Sequence, residues 1–311
     1  MEIRSLKIVF FGSPEFAVPC LETVSKEHQV VAVVTQPDRP RGRGRSIAQS
    51  PVKKRAQELG LDVLDPERLR CRSVREGLMG FGADMFVVVA YGQILSPRLL
   101  TVPPMGCINV HGSLLPRHRG AAPIQWAVLK GDKCAGITII QMDAGVDTGP
   151  ILLQESVELD NEETSGTLYD RLAPVGARLL LKALAGVQQG VLEPVPQDNA
   201  NATLAPMLSK GDGRVDFLQS AKEVDCWIRG MDPWPGAFAD LQGQTLRLFR
   251  SRVTNGKGRP GEILEGDERG LLVACKEKAV WVQELQLPGR RRMPAISLLA
   301  GNPIKVGTIL G

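Results

Sequence analysis

The sequence predicts an α/β protein with a parallel sheet in its first half, followed by a smaller all-β domain. Strand-like runs in the first half are apolar at nearly every position and alternate with helical segments. This pattern is typical of a parallel sheet covered by helices on both faces. The last third carries short, strand-like runs separated by turn residues, which favours an all-β domain. A length of 311 residues is consistent with two domains.

Strands and helices alternate in the first half. After the first apolar run, Phe16, Leu21 and Val24 recur at helical spacing, which predicts a strand-turn-helix unit. The turn reads GSPEF and does not match GxGxxG, so dinucleotide binding has little support. The further predicted elements are strand 6–11 at the start, strand 30–35, helix 51–59, strand 85–90 and strand 107–110.

The second half changes character after residue 135, where two strand-like runs flank a turn-rich middle. Apolar residues at helical intervals then predict a helix over 164–184, which would close the first domain. A stretch rich in Pro, Asn, Asp and Gly follows and indicates a linker. The runs after it predict a small barrel, with strands at 246–249, 261–264, 271–274 and 280–287. We therefore expect a first domain at 1–189, a linker at 190–208 and a second domain at 209–311.

Composition excludes several classes of protein. The six cysteines are scattered without a CxxC pair, as in a cytosolic protein with reduced thiols, and no His or Cys pair has zinc-ligand spacing. The first apolar run is too short for a signal peptide or a membrane span. We expect a cytoplasmic protein that uses no metal.

A dense basic segment interrupts a nearly neutral first domain. Seven basic residues and no acidic residue lie between positions 39 and 55. Such a run is often only a solvated loop. The last third holds the rest of the positive charge, and two basic regions together favour a polyanionic partner.

Asn109 and His111 end a predicted strand and are separated by one residue. Their side chains therefore point to the same side of the strand and could address one atom. An amide donor beside a histidine suits an oxygen that gains negative charge, although such a pair can also satisfy loop carbonyls. A carboxylate to orient the histidine is available at Asp143 or Asp147, and spacing alone does not choose between them.

Ser113 does not fit a nucleophile. It lies near His111, but its surroundings are not a GxSxG elbow, and Pro116 disfavours a helix starting there.

These motifs resemble a known family. NVHGSLLPRHRG, followed by MDAGVDTGP, resembles the formyltransferases that use 10-formyltetrahydrofolate, and VVVAYGQILSP resembles their folate-cradling strand and loop. TQPDRPRGRGR, together with GSPEFAVP, LSKGDGRVDF and MDPWPGAF, is similar to the methionyl-tRNA formyltransferase branch. The resemblance extends over nearly the whole chain. It implies a Rossmann-like first domain and a C-terminal OB-like β-barrel domain.

The resemblance also implies roles for individual residues. The catalytic trio is expected at Asn109, His111 and Asp147. Folate contacts are expected from two segments, made of Ser113, Leu114, Leu115, Pro116 and of Gln93, Ile94, Leu95. The arginines expected to contact tRNA are Arg39, Arg41, Arg43 and Arg45. By resemblance the donor is 10-formyltetrahydrofolate, the acceptor is initiator methionyl-tRNA, and the protein is expected to be a monomer without a metal.

Two other functions share parts of this pattern. A folate-dependent formyltransferase acting on an amino sugar nucleotide would need the same trio but no Arg-rich loop. A tRNA-binding module without activity would need the basic regions but not the trio. The intact trio argues against the second alternative.

Overall fold

The computed structural model describes residues 4–41 and 46–311. They form two compact units. The first contains the chain up to Pro123, Ala135–Val157 and Tyr169–Pro206, and the second contains Ile124–Cys134, Glu158–Leu168 and Met207–Gly311. Within the described part of the chain, no helix has the length and apolar character needed to span a bilayer.

Strands and helices largely alternate along the first two thirds of the chain. In order they are β1 (Lys7–Gly12), α1 (Val18–Glu27), β2 (Gln29–Val34), β3 (Arg39–Arg41), β4 (Ser46–Ala48), α2 (Pro51–Glu58), β5 (Val63–Leu64), α3 (Arg72–Gly80), β6 (Met85–Val89), α4 (Pro97–Leu100), β7 (Cys107–His111), α5 (Pro123–Leu129), β8 (Cys134–Gln141), β9 (Ile151–Glu158) and α6 (Ser165–Gln189).

Seven of these strands form one sheet in the order β5-β2-β1-β6-β7-β8-β9. Each pairing from β5 to β7 is parallel, which confirms the predicted parallel sheet. β8 differs from the expected pattern, because it runs antiparallel to β7. Parallel sheets often carry such a strand toward one edge.

The order of the strands determines where a site can form. The chain passes from β1 to β2 on one side and returns to β6 on the other, so the order reverses beside β1. In open α/β sheets, ligands bind beyond the carboxyl ends of the strands near such a reversal. β6 and β7 end at this edge, and Asn109 and His111 lie among the last three residues of β7.

The last third forms a curled antiparallel sheet, as expected for the all-β domain. Its elements are α7 (Ala221–Gly230), β10 (Phe238–Leu241), β11 (Gln244–Thr254), β12 (Ile263–Asp267), β13 (Gly270–Ala274), β14 (Ala279–Gln286), β15 (Met293–Pro294) and α8 (Ala295–Gly301). The strand order is β10-β11-β14-β13-β12, and β15 pairs with β14.

Several elements were missed by the sequence interpretation. They are short or weakly periodic, and comprise α3, α4, α5, α7, α8, β5, β10, β15 and the hairpin of β3 and β4. Helix α7 had a readable signal, because Ser220 and Glu223 form a reciprocal capping box at its start. The predicted helix over 164–184 exists but extends to Gln189.

The C-terminal residues connect the two edge strands of the second sheet. The backbone of Gly311 exchanges two hydrogen bonds with Asp240 in β10. Leu310 donates to the carbonyl of Gly261, and the Ile263 amide in β12 donates to Thr308. Unpaired edge strands are otherwise open to aggregation, so this tail satisfies both edges of the sheet.

Leu310→Ala should destabilise the second unit by about 2–5 kcal/mol, because its side chain is buried and its loss leaves a cavity. All four tryptophans, Trp126, Trp227, Trp234 and Trp281, lie in this unit, so their fluorescence during urea unfolding reports its stability. Val306→Ala, at an exposed position of the same tail, is the control and should change stability by no more than about 0.5 kcal/mol. Equal effects of the two substitutions would contradict the role of Leu310.

Candidate active site

Asn109 and His111 point to the same side of β7 and are both buried. β7 is an inner strand with β6 on one side and β8 on the other, so its backbone is held along most of its length. This rigid strand fixes the separation of the two side chains, as the sequence interpretation expected from their spacing.

Asp147 is the carboxylate that lies beside this pair. Asn109 Nδ2 donates to Asp147 Oδ1 at 3.2 Å, and His111 Nδ1 lies 3.5 Å from the same oxygen. The backbone N–H of Gly120 donates to Asp147 Oδ2 at 2.9 Å. Asp143, the other candidate, is exposed and accepts hydrogen bonds from Gly145 and Thr148 within its own turn.

The backbone at Asp147 is strained. Its φ is +54°, a left-handed conformation that residues other than glycine rarely adopt. Such a conformation persists only where surrounding contacts hold it, and it is common at functional sites.

The ring of His111 is oriented through Nε2, the ring nitrogen that does not face Asp147. His111 Nε2 lies 2.9 Å from the carbonyl oxygen of His118. A carbonyl only accepts, so Nε2 carries the proton and Nδ1 faces Asp147. His118, to which no chemistry was assigned, thus contributes through its backbone.

The predicted folate-contacting loop after β7 is held by buried polar contacts. Thr138 donates to the carbonyl of Ser113 at 2.6 Å and accepts from the Leu115 amide at 3.1 Å. Gln154 donates to the same hydroxyl and to the carbonyl of Leu115. The Ser113 hydroxyl donates its proton to the carbonyl of Arg117 at 2.6 Å, so that proton is not directed at His111.

The other predicted folate-contacting segment follows β6. Gln93 is used structurally, because its Oε1 accepts from the Leu69 amide at 3.2 Å and its amide donates to the Pro66 carbonyl. Leu95 is buried, whereas the side chain of Ile94 is 59% exposed. Since β6 and β7 are parallel neighbours, this segment leaves the sheet at the same edge as Asn109 and His111.

The basic segment begins on the hairpin of β3 and β4. Arg43 and Arg45 lie outside the described residues, and so does the side chain of Arg41. Arg39 is described, and its Nη2 lies 3.5 Å from Gln36 Oε1.

The base of this hairpin is held firmly. Lys53 Nζ donates to Asp65 at 2.7 Å and to Asp38 at 2.9 Å, and these hydrogen bonds raise the pKa of Lys53. The hydroxyls of Thr35 and Ser50, which precede β3 and follow β4 in the chain, share a hydrogen bond of 2.6 Å.

Covalent catalysis through the neighbouring thiol is disfavoured. Cys107 lies on the same face of β7 as Asn109 and His111, but burial raises the pKa of its thiol to about 12. At neutral pH it is a protonated thiol and a poor nucleophile. Among the described residues, no group of three His, Cys, Asp or Glu side chains could hold a metal ion.

Some residues around the trio were not found from the sequence. Thr138 lies within an apolar strand, and Gln197 lies in the predicted linker, where no pattern marked either residue. Arg119 and Gly120 were visible only as the end of a basic cluster. Their contacts join segments far apart in the chain, which spacing rules do not detect.

Comparison with known proteins identifies the family. A model described as "Formyl transferase" matches residues 6–184, and one described as "Formyl transferase, C-terminal domain" matches residues 207–303. The methionyl-tRNA formyltransferase of Desulfotalea psychrophila is 47% identical over 99% of this chain and 97% of its own length. The chain belongs to the methionyl-tRNA formyltransferase family. The enzymes of that name from Pelobacter propionicus and Lachnospira eligens are each 45% identical, over 99% and 98% of this chain and 97% and 100% of their own lengths.

Solved structures share the fold of this formyltransferase at low identity. An N-formyltransferase from Helicobacter canadensis has a TM-score of 0.66 at 18% identity, covering 89% of this chain and 98% of that protein. HypX from Aquifex aeolicus has a TM-score of 0.64 at 17% identity, covering 99% of this chain and 51% of HypX. The predicted fold class is therefore confirmed both by the sheet topology and by these neighbours.

Thr138→Val should destabilise this formyltransferase by about 1–3 kcal/mol, because the buried N–H of Leu115 loses its acceptor and the carbonyl of Ser113 loses its donor. Calorimetric unfolding measures the change. Thr101→Val, at an exposed position of the same unit, should lie within about 0.5 kcal/mol of the parent. Equal unfolding temperatures for Thr138→Val and Thr101→Val would show that this network does not stabilise the loop.

Proposed function

We propose that this chain transfers the formyl group of 10-formyltetrahydrofolate to the α-amino group of methionine on initiator methionyl-tRNA. The observation that carries the proposal is the pair of buried side chains Asn109 and His111 at the carboxyl end of β7, with the partly buried Asp147 beside them, in a chain of this family. In this proposal residues 1–189 form the catalytic domain, 190–208 a linker and 209–311 the tRNA-binding domain.

The residues beside the trio are compatible with a folate. Ile94 lies in the segment that leaves the sheet after β6, next to β7. Its apolar side chain is exposed, and a flat heteroaromatic ring could pack against it. The backbone of residues 93–95 and of 113–116 would hold the ring and its polar edge. When bound, the folate supplies a formyl group on a nitrogen that can leave.

Asn109 and His111 would stabilise the reaction's developing charge. The attack of a neutral amine on the formyl carbon places negative charge on the formyl oxygen, and the amide N–H of Asn109 would donate to that oxygen. Because the His118 carbonyl holds Nε2, His111 would donate through Nδ1 when that nitrogen is protonated, or pass that proton toward the leaving nitrogen. Asp147 would orient His111 and accept the amine proton, directly or through a water molecule.

The basic hairpin would bind the RNA. Arg39, Arg41, Arg43 and Arg45 would approach phosphates at the acceptor end of the tRNA. The pairing of Lys53 with Asp38 and Asp65 would hold the base of this hairpin in place. Monomeric state and cytoplasmic location stay predictions.

The deciding experiment measures transfer of labelled formyl to charged initiator methionyl-tRNA, with charged elongator methionyl-tRNA and an amino sugar nucleotide as parallel acceptors. Transfer to the initiator alone supports the proposal. Transfer to the amino sugar instead would establish the alternative acceptor, and folate binding without transfer to any acceptor would contradict the proposed reaction.

Asn109→Ala should lower the single-turnover rate about 100-fold to 1,000-fold at saturating substrates, because one preorganised donor to the oxyanion is lost. Binding of the folate, measured by equilibrium titration, should be retained. A near-normal rate would mean that Asn109 does not stabilise the oxyanion.

Single Arg→Ser substitutions at positions 39, 41, 43 and 45 should each weaken tRNA binding and reduce its salt dependence. For an arginine that contacts a phosphate, the slope of log K against log salt should fall by about 1. Lys54→Ser is the control, since Lys54 is exposed beside the hairpin and has no proposed contact. Unchanged slopes in all four arginine variants would refute the proposed contacts, and folate affinity should be the same throughout.

A further inference from the structure

We propose that Gln197 is a positioning residue for Asp147, resting on the proposed role of Asp147 in formyl transfer. Gln197 lies in the segment predicted as a linker, yet its side-chain amide donates to two carbonyls of the Asp147 turn. The distances are 2.9 Å to the carbonyl of Asp147 and 2.7 Å to that of Gly149.

The Gln197 amide binds the part of the turn whose backbone conformation is unfavourable. Asp147 has a left-handed backbone, which is unfavourable for a residue with a side chain. Both N–H groups of one planar amide are engaged by carbonyls two residues apart, so the amide determines where the turn lies. The carboxylate follows the backbone that carries it, and it must lie between Asn109, His111 and the Gly120 N–H.

The side chain of Gln197 is itself held by Arg119. Arg119 is buried and directs Nε and Nη2 to Gln197 Oε1, at 3.0 and 2.7 Å. Arg119 Nη2 also donates to Asn199 Oδ1 at 2.9 Å. With its oxygen occupied by the guanidinium, the amide of Gln197 can present only its NH₂ group to the turn, which selects the observed orientation.

Backbone pairing between the loop at Arg119 and the segment around Thr203 and Ala205 holds Gln197 near the site. The Arg119 amide donates to the carbonyl of Thr203, and the Ala205 amide donates to the carbonyl of Arg119. Gly120 has a φ of +125°, and a side chain there would collide with the carbonyl of Ala205. The stretch around Arg119 and Gly120, which contacts Asp147 directly, is therefore paired with the same segment that carries Gln197.

Two substitutions separate positioning from general stability. Gln197→Met keeps the size of the side chain but removes both the amide donors and the acceptor. Gln197→Glu keeps an acceptor for Arg119 and loses the donors, so it preserves the support behind the residue while placing oxygen against two carbonyls. Gln189→Met and Gln189→Glu, at the exposed end of α6, are the matched controls.

With the wild-type chain active in formyl transfer, kcat should fall about 10-fold to 100-fold in both Gln197 variants, because small displacements of a catalytic group are costly. The KM values for folate and tRNA should be unchanged, and the Gln189 controls should be normal. A kcat within twofold of the parent in Gln197→Glu would overturn the inference while leaving the proposed function standing.

A second readout does not depend on any substrate. The chain has three histidines, so the ring resonances of His111 and His118 can be followed by NMR with His28 as the internal reference. Both Gln197 variants should shift the His111 ring signals, because Asp147 Oδ1 moves relative to Nδ1, and His28 should not change. If the wild type transfers no formyl group, the proposed function fails, and unmoved His111 signals would then also overturn the positioning role.

Discussion

The site depends on the contacts that the carboxylate of Asp147 makes. One oxygen accepts from Asn109 and faces His111, and the other accepts from the backbone of Gly120. A single carboxylate thus joins the end of β7, the loop after it and the turn before β9. A partly buried carboxylate is favourable when its oxygens are paired, so the three segments constrain one another.

This arrangement needs a rigid strand beneath it and a held turn above it. β7 is an inner strand of the seven-stranded sheet, and its neighbours restrict the positions of Asn109 and His111. The turn has no such ladder and adopts a strained backbone, so its position depends on side chains from elsewhere in the chain. The buried Thr138 and Arg119 show the same principle. Thr138 binds loop backbone directly, and Arg119 binds the side chain of Gln197, which in turn binds the backbone of the Asp147 turn.

The basic hairpin is held in a different way from the Asp147 turn. Arg39, the hairpin arginine whose side chain is described, is exposed, as the proposed contact with phosphate requires. Rigidity is instead concentrated at the base, where Lys53 is paired with two carboxylates and Thr35 with Ser50.

The sequence by itself determined the fold class and the chemical pair. Continuous apolar runs predict buried parallel strands wherever they occur, and a spacing of two residues places Asn109 and His111 on one side of a strand without any knowledge of the sheet. Spacing left Asp143 and Asp147 open, the family resemblance pointed to Asp147, and the structure places Asp147 beside the pair. Tertiary structure alone decided how Arg119 and Gln197 hold that aspartate, and that the C-terminal tail pairs with both edges of the second sheet. Local periodicity describes neighbours along the chain, whereas these contacts join residues separated by tens of positions, and only the folded backbone brings them within hydrogen-bonding distance.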